Sequence, residues 1–236
     1  MHNFKTKNLL KYVFAIIIAI VILFGLYYLN YYNILPKRVY HNADFDIVFK
    51  ASSTDFNNDG IDDYTDILFG AKQDALNKPK YDATYVEGGY PSDNIGVCTD
   101  VVWRAFKSAG YSLKDMIDQD IINYPNDYPN VIKKDGNIDF RRVKNLKVFF
   151  DKYATVLTLD IDQIKEWQAG DIVIFKASKH IGIISDKRNR YGHPYVIHNS
   201  GQPRRDEDYI KKSKVIGHYR FDASKIDASV LIDWKD

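Results

Sequence analysis

The chain has 236 residues, of which 45% are hydrophobic, 14% aromatic and 27% charged, a balance that excludes collagen-like, disulfide-framed and broadly disordered classes. The formal net charge is +2, and setting aside Lys5, Lys7 and Lys11 leaves 30 basic against 31 acidic residues, so no basic excess argues for nucleic acid. One cysteine, Cys98, is present, which excludes an intrachain disulfide.

From Tyr12 to Pro36 there is no charged residue, and the stretch from Val13 to Leu29 is apolar. That length spans a bilayer, for which about 20 residues suffice. A cleaved signal peptide would end in small residues, whereas Tyr27, Tyr28, Tyr31 and Tyr32 follow here as an interfacial belt would. A buried core helix is the other alternative. Lys5, Lys7 and Lys11 before the span place the N-terminus inside and the domain outside, although Lys37 and Arg38 dilute the asymmetry. Residues 1–36 are read as tail and anchor, and 37–54 as a linker in which DFDIVFKA predicts a short strand.

The next segment, 55–77, opens with DFNNDGIDDYTD. Asp55, Asn57, Asp59, Asp63 and Asp66 fall at positions 1, 3, 5, 9 and 12 of a calcium loop, with Gly60 at the turn and the Ile61 carbonyl as the seventh-position ligand. Asp66 stands where an EF-hand has glutamate, which brings the loop closer to the dockerin type. An Asp/Asn-rich turn capping the helix YTDILFGAKQDALN is the simpler alternative. Calcium is expected here, and no organic cofactor.

A loop rich in Pro, Gly and Tyr leads to GVCTDVVWRAFKSAG. Val101, Val102, Ala105, Phe106 and Ala109 mark a helix face that starts at Cys98. NIDFRRVKNLKVFFDKYA predicts a second helix, with Asp139 as N-cap and Val143, Leu146, Phe150 and Tyr153 as its buried stripe. After Trp167 the runs GDIVIFK, HIGIISD and HPYVIHNS read as an antiparallel meander, with VIGHYRF as a further strand. Helices followed by strands give an α+β class for 78–236.

A thiolate at a helix start gains from free N–H groups, which lowers its pKa. If the strands around Ser185 and Tyr195 pair antiparallel, facing residues have numbers summing to about 380. His180 and His198 then become diagonal neighbours. His180 would be the base toward Cys98 and His198 the residue that orients it; a one-residue slip would separate them. The alternative reading of Cys98 is a small buried hydrophobe. His193 reads as a turn residue, Asp100 as a complement to the helix dipole, and Arg141 and Arg142 as holders of an anionic substrate group or a solvated face. Zinc on Cys98, His180 and His198 is a weaker reading, since no closely spaced ligand pair anchors it.

The stretches GVCTDVVWRAF, NIDFRRVKNL, GDIVIF, HIGIISD, VIHNSG and GHYRF together resemble domain of unknown function family 1287, assigned to the NlpC/P60 group of papain-like cysteine peptidases and amidases, across roughly Asp62 to Phe221. The resemblance implies a papain-like fold, Cys98 as nucleophile, His180 as base and His198 as third polar residue. Val97-Cys98-Thr99 departs from the Asp-Cys-Ser usual at the nucleophile, so that group's substrate contacts do not carry over. The expected function is a membrane-anchored cysteine hydrolase that cleaves an amide bond, in cell-wall peptide or another surface substrate, through a thioester. A lipid-directed acyltransferase or lipase of the same fold, with a closed apolar pocket, is one alternative. A calcium-dependent surface binding module, with Cys98 buried far from both histidines, is another.

Overall fold

The computed structural model describes residues 2–235, with the side chains of residues 2–8 and of Ser178 outside the description; those of Lys5 and Lys7 fall there. The chain divides into two units, 1–37 and 38–236. In the first, helix α1 spans His2–Tyr31, and its segment Leu9–Tyr31 is long and apolar enough to cross a membrane. None of its most apolar window is buried, unlike a helix that belongs to a soluble core. Asn33, with φ 54°, closes the helix, and the Ile34 N–H returns to the Leu29 carbonyl at 2.8 Å.

The second unit is α+β. The strand predicted in the linker does not form; Asn42–Phe45 make a 3-10 turn instead, because the Asp44 carboxylate accepts from the His41 N–H at 2.8 Å and Asp46 turns the chain at φ 52°. Local side-chain bonds of this kind compete with strand pairing. Helix α2, Asp63–Asn77, follows the expected segment, with Asp62 accepting from the Tyr64 and Thr65 N–H groups as its cap. A two-residue parallel pair, β1 (Lys80–Tyr81) and β2 (Ile95–Gly96), brackets the loop before α3, Cys98–Ser108. Helix α4, Leu113–Asn123, escaped the sequence reading, although Leu113, Met116, Ile117 and Ile121 form its buried stripe.

Asp139 is not the N-cap of the next helix. It opens a 3-10 turn, Asp139–Arg141, and its carboxylate accepts from the Asp135 N–H at 2.7 Å, so α5 starts later, at Val143–Tyr153. Val143, Leu146 and Phe150 are buried as predicted, while Phe149 is buried and Tyr153 only half-buried.

Six strands form one antiparallel sheet: β3 (Thr155–Val156), β4 (Ile172–Phe175), β5 (His180–Arg188), β6 (Pro194–Ile197), β7 (Asp206–Glu207) and β8 (Val215–Arg220), in the order β3-β8-β4-β5-β6-β7. The expected meander holds from β4 through β6, and β8 returns to the other side of β4. Alternation then sorts the core into two. Ile172, Ile174, Ile181 and Ile183 pack in the larger core with residues of α3 and α5, and Val173, Phe175, Ile184 and Val196 pack with Trp167 in the smaller. A sheet covered on both faces explains why β4 is apolar at every position.

Strands β5 and β6 pair Ile183 with Ile197 and Ile184 with Val196, the predicted register. Gly182 is what this register needs at its position: a Cβ there would stand 2.7 Å from the Ile197 carbonyl and 3.2 Å from His198 Cβ. Gly182→Ala is therefore expected to overpack the strand pair at a cost of about 1–3 kcal/mol. Calorimetry should show a fall in Tm of about 2–4 °C for each kcal/mol; an unchanged Tm would show that the strands yield.

Candidate active site

Cys98 is the first residue of α3 and 9% exposed. Its thiol meets backbone hydrogen-bond donors at Ile181, Thr99 and its own residue, which favour a thiolate. Burial outweighs them. The thiol is pushed up to about 11, with desolvation the largest cause and Asp100 adding to it, so the lowered pKa expected from the helix start is not what this environment gives. The sulfur nevertheless lies on the wall of an open groove of about 760 Å³, together with Tyr81, Thr99, Arg142 and Lys179.

What fixes the helix start is Asp100, fully buried, whose carboxylate accepts from the Val97 N–H at 2.7 Å, Trp103 Nε1 at 2.9 Å, Arg141 Nε at 2.8 Å and Arg141 Nη2 at 2.9 Å. Asp100 thus does more than complement a dipole. Arg141 Nη1 also donates to the Thr84 carbonyl, so Arg141 is committed within the protein and is not offered to a substrate. Arg142 is part-exposed on the groove wall, 3.1 Å from Asp139.

His180 and His198 come together as predicted, with His180 Nε2 and His198 Nδ1 2.8 Å apart. A third group was not foreseen. Glu207 Oε1 lies 3.2 Å from His198 Nε2, and both residues are buried. The Glu207 carboxylate only accepts, so His198 carries its proton on Nε2 and accepts at Nδ1; His180 must then donate from Nε2, which leaves its Nδ1 bare. That Nδ1 has no hydrogen-bond partner among the described residues. Tyr209 packs on both imidazoles, with ring centroids 4.3 Å from His198 and 5.5 Å from His180. Burial lowers His180 to about 3, helped by His198, and burial lowers His198 as well. In sequence Glu207 sits in the charged run RRDEDY, which reads as solvated surface. Its place opposite Val196 in the β6–β7 pair, next to the strand end that leads into His198, reveals the role.

Cys98 and His180 are not hydrogen-bonded to each other in this structure; the thiol packs with Ile181, the residue after His180. His180 is the first residue of β5, and its ring packs on Phe175 and Tyr209 of the smaller core, at centroid distances of 6.0 and 5.5 Å, whereas Ile181 and the thiol belong to the larger core. His193 lies in the β5–β6 turn as expected and pairs with Asp162 at 2.7 Å. Among the described residues no three His, Cys, Asp or Glu side chains gather to hold a metal, and the zinc reading fails on that geometry, since His180 and His198 use ring nitrogens on each other.

The acidic loop forms the predicted turn, with Gly60 at φ 93°. Asp55 accepts from the Asp59 and Gly60 N–H groups, Asp59 accepts from the Ile61 N–H, and Asn57 Nδ2 donates to Asp59 and Asp66. Asp63 is turned inward, contrary to expectation, accepting from the Phe56 N–H at 2.8 Å, Tyr111 OH at 2.7 Å and the Thr54 hydroxyl. Asp66 is raised to about 6 by burial and then by Asp59. As it stands, the loop does not converge on an ion.

The family described as Domain of unknown function (DUF1287) matches residues 68–221. The chain belongs to the DUF1287 family. An uncharacterized protein of Escherichia coli strain K12, YijF, is 36% identical over 165 residues, covering 66% of this chain and 80% of the relative. No solved structure matches the chain. The DUF1287 match begins within α2 and ends just after β8, so it takes in Cys98, His180, His198 and Glu207 but leaves the acidic loop outside.

The direction of these shifts sets a pH dependence for the DUF1287 domain. Cys98 is raised from 9.0 to about 11, so its stabilising contribution is whole below pH 9.0 and lost as pH climbs through the folded value. His180 is lowered from 6.5 to about 3, so its contribution is whole above pH 6.5 and lost as pH falls through the folded value. Stability from the pair should peak between those limits. Urea midpoints across pH should lose the acid limb in His180→Gln and the alkaline limb in Cys98→Ser; limbs that persist in both variants would mean other groups set the profile.

Proposed function

We propose that this DUF1287 domain is a cysteine hydrolase of papain-like, NlpC/P60 type, held at a membrane by α1 with the domain outside, and that it cleaves an amide bond in cell-wall peptide or another surface peptide. The observation that carries the reading is the relay Glu207–His198–His180, which leaves His180 Nδ1 unprotonated next to the residue whose backbone meets the thiol. In the reaction the Cys98 proton passes to His180 Nδ1 and sulfur attacks the carbonyl carbon. The C–N bond then breaks and the amine leaves with that proton. Water adds to the thioester, giving a proton to Nδ1; the C–S bond breaks, the acid departs and the thiol regains its proton. N–H groups at the start of α3 would hold the oxyanion. The open, cation-lined groove favours a polar chain over the closed apolar pocket that a lipid substrate would require.

The test is turnover of cell-wall peptide fragments by the full chain in detergent. Cys98→Ala should abolish it, and His180→Ala should lower kcat by about 100-fold or more. His198→Ala and Glu207→Gln should act more mildly, mainly on kcat, because they set a tautomer and do not carry the proton. Turnover that survives Cys98→Ala would remove the proposal, and turnover of lipid esters alone would replace the substrate class.

For the acidic loop we propose calcium-dependent ordering. The turn at Gly60 and the unbalanced carboxylates around Asp66 support it, and the ion would draw Asp55, Asp59 and Asp66 together. A ligand that binds only the folded state raises Tm by mass action. Tm should therefore fall on chelation and recover with calcium; identical melting curves would reject the site.

A further inference from the structure

The groove at Cys98 carries a charge pattern that composition does not explain. Lys133, Arg141, Arg142, Lys144 and Lys179 line it and no aspartate or glutamate does, in a chain whose acidic and basic residues nearly balance. Two of these cations are neutralised from behind the wall, Arg141 by Asp100 and Arg142 by Asp139. Lys144 holds a neutral acceptor, Asn130 Oδ1, at 3.2 Å. Lys133 and Lys179 make no ion pair among the described residues. Three ammonium groups are thus left facing the groove without counter-charge.

Resting on the hydrolase reading, we propose that this groove selects peptide substrates bearing side-chain or terminal carboxylates close to the bond that Cys98 attacks. The three lysines stand on separate elements: Lys133 in the α4–α5 connection, Lys144 in the first turn of α5 and Lys179 in the β4–β5 turn. Cations spread in this way suit single charges spaced along an extended chain. A phosphate, with several oxygens on one centre, would call for converging donors. A groove of about 760 Å³ accepts a segment of a few residues, and fully exposed Ile132 beside Lys133 offers it an apolar contact. Lysines also steer an anionic chain toward the thiol before it docks.

The experiment uses the full chain in detergent, as the Cys98→Ser variant so that no turnover intervenes, and measures binding by calorimetry. The probes are a tetrapeptide carrying two glutamates, the same peptide with two glutamines, and glycerol phosphate. The glutamate peptide should bind about three- to ten-fold tighter than the glutamine peptide, the range expected for exposed ion pairs, and the advantage should shrink with added salt. Lys133→Ala, Lys144→Ala and Lys179→Ala combined should bring the two peptides to equal affinity. Equal affinity before those substitutions would overturn the proposal, as would glycerol phosphate binding more tightly than the glutamate peptide. Turnover of the parent is assayed separately. Selective binding without any cleavage counts against the hydrolase reading alone, and cleavage with no charge preference counts against the carboxylate selection alone.

Discussion

Asp100 is a carboxylate with no exposure to water, and it holds together the Val97 backbone, the Trp103 indole and both edges of the Arg141 guanidinium. A buried charge persists only when hydrogen bonds replace its hydration, so these four donors fix where α3 starts and hence where Cys98 sits. The same contact draws in the segment that carries Arg141, whose carbonyl accepts from Thr99 Oγ1 at 3.2 Å. One wall of the groove is thereby tied to the cysteine helix. Trp103 extends the tie by stacking on Trp234 with ring centroids 6.0 Å apart, so the end of the chain is gathered to the same helix. Removing one partner of such a buried pair costs about 3–5 kcal/mol, because the remaining charge has nowhere to go.

The sheet does for the histidines what Asp100 does for the thiol. Antiparallel register sets His180 and His198 side by side, and β7 adds Glu207 behind them. A second imidazole shows why the arrangement matters more than the residue types. His218 is also buried beside a carboxylate, Asp171 at 3.0 Å, and it is sandwiched flat on Trp167. Its other ring nitrogen faces the Thr158 carbonyl at 2.8 Å, and Asp171 is shared with Arg220. Both nitrogens of His218 are engaged, so it braces the fold and has no lone pair to offer. His180 keeps one ring nitrogen, Nδ1, without a hydrogen-bond partner among the described residues.

The register between HIGIISD and HPYVIHNS was legible because hydrophobic alternation and a turn of known length determine which residues face each other. Helix α3 was legible from its apolar spacing. Glu207 was not, because a two-residue strand shows no period and a charged run reads the same on a surface as in a core until its neighbours are known. Asp63 misled for a related reason. Its spacing suited a calcium ligand, but Tyr111 and Thr54, distant or unremarkable in sequence, offered hydroxyl donors that turned it inward. The thiol's ionisation was misjudged by weighing the helix start without the surrounding core: N–H donors act on the anion, yet burial acts more strongly. Spacing reveals partners within an element and its immediate pair; it does not reveal how much water a group has lost.

A protonated, buried thiol is not at odds with nucleophilic chemistry in the proposed location. The thiolate is the form that oxidises, and compartments outside the cytoplasm are the oxidising ones. Under the proposed hydrolase reading, keeping Cys98 neutral at rest would protect it, and the bare Nδ1 of His180 would take the proton. Both groups are neutral in this state, so transferring the proton creates an ion pair where none existed. On that reading the pair would be stabilised by the backbone donors at Ile181 and Thr99 on the sulfur side, and by His198 and Glu207 on the imidazole side. Two requirements remain on that reading: contact between the thiol and His180 Nδ1, which are not hydrogen-bonded in this structure, and a substrate that displaces water from the groove and brings a carbonyl to the sulfur. Charge separation and attack would then be coupled to binding rather than maintained without it.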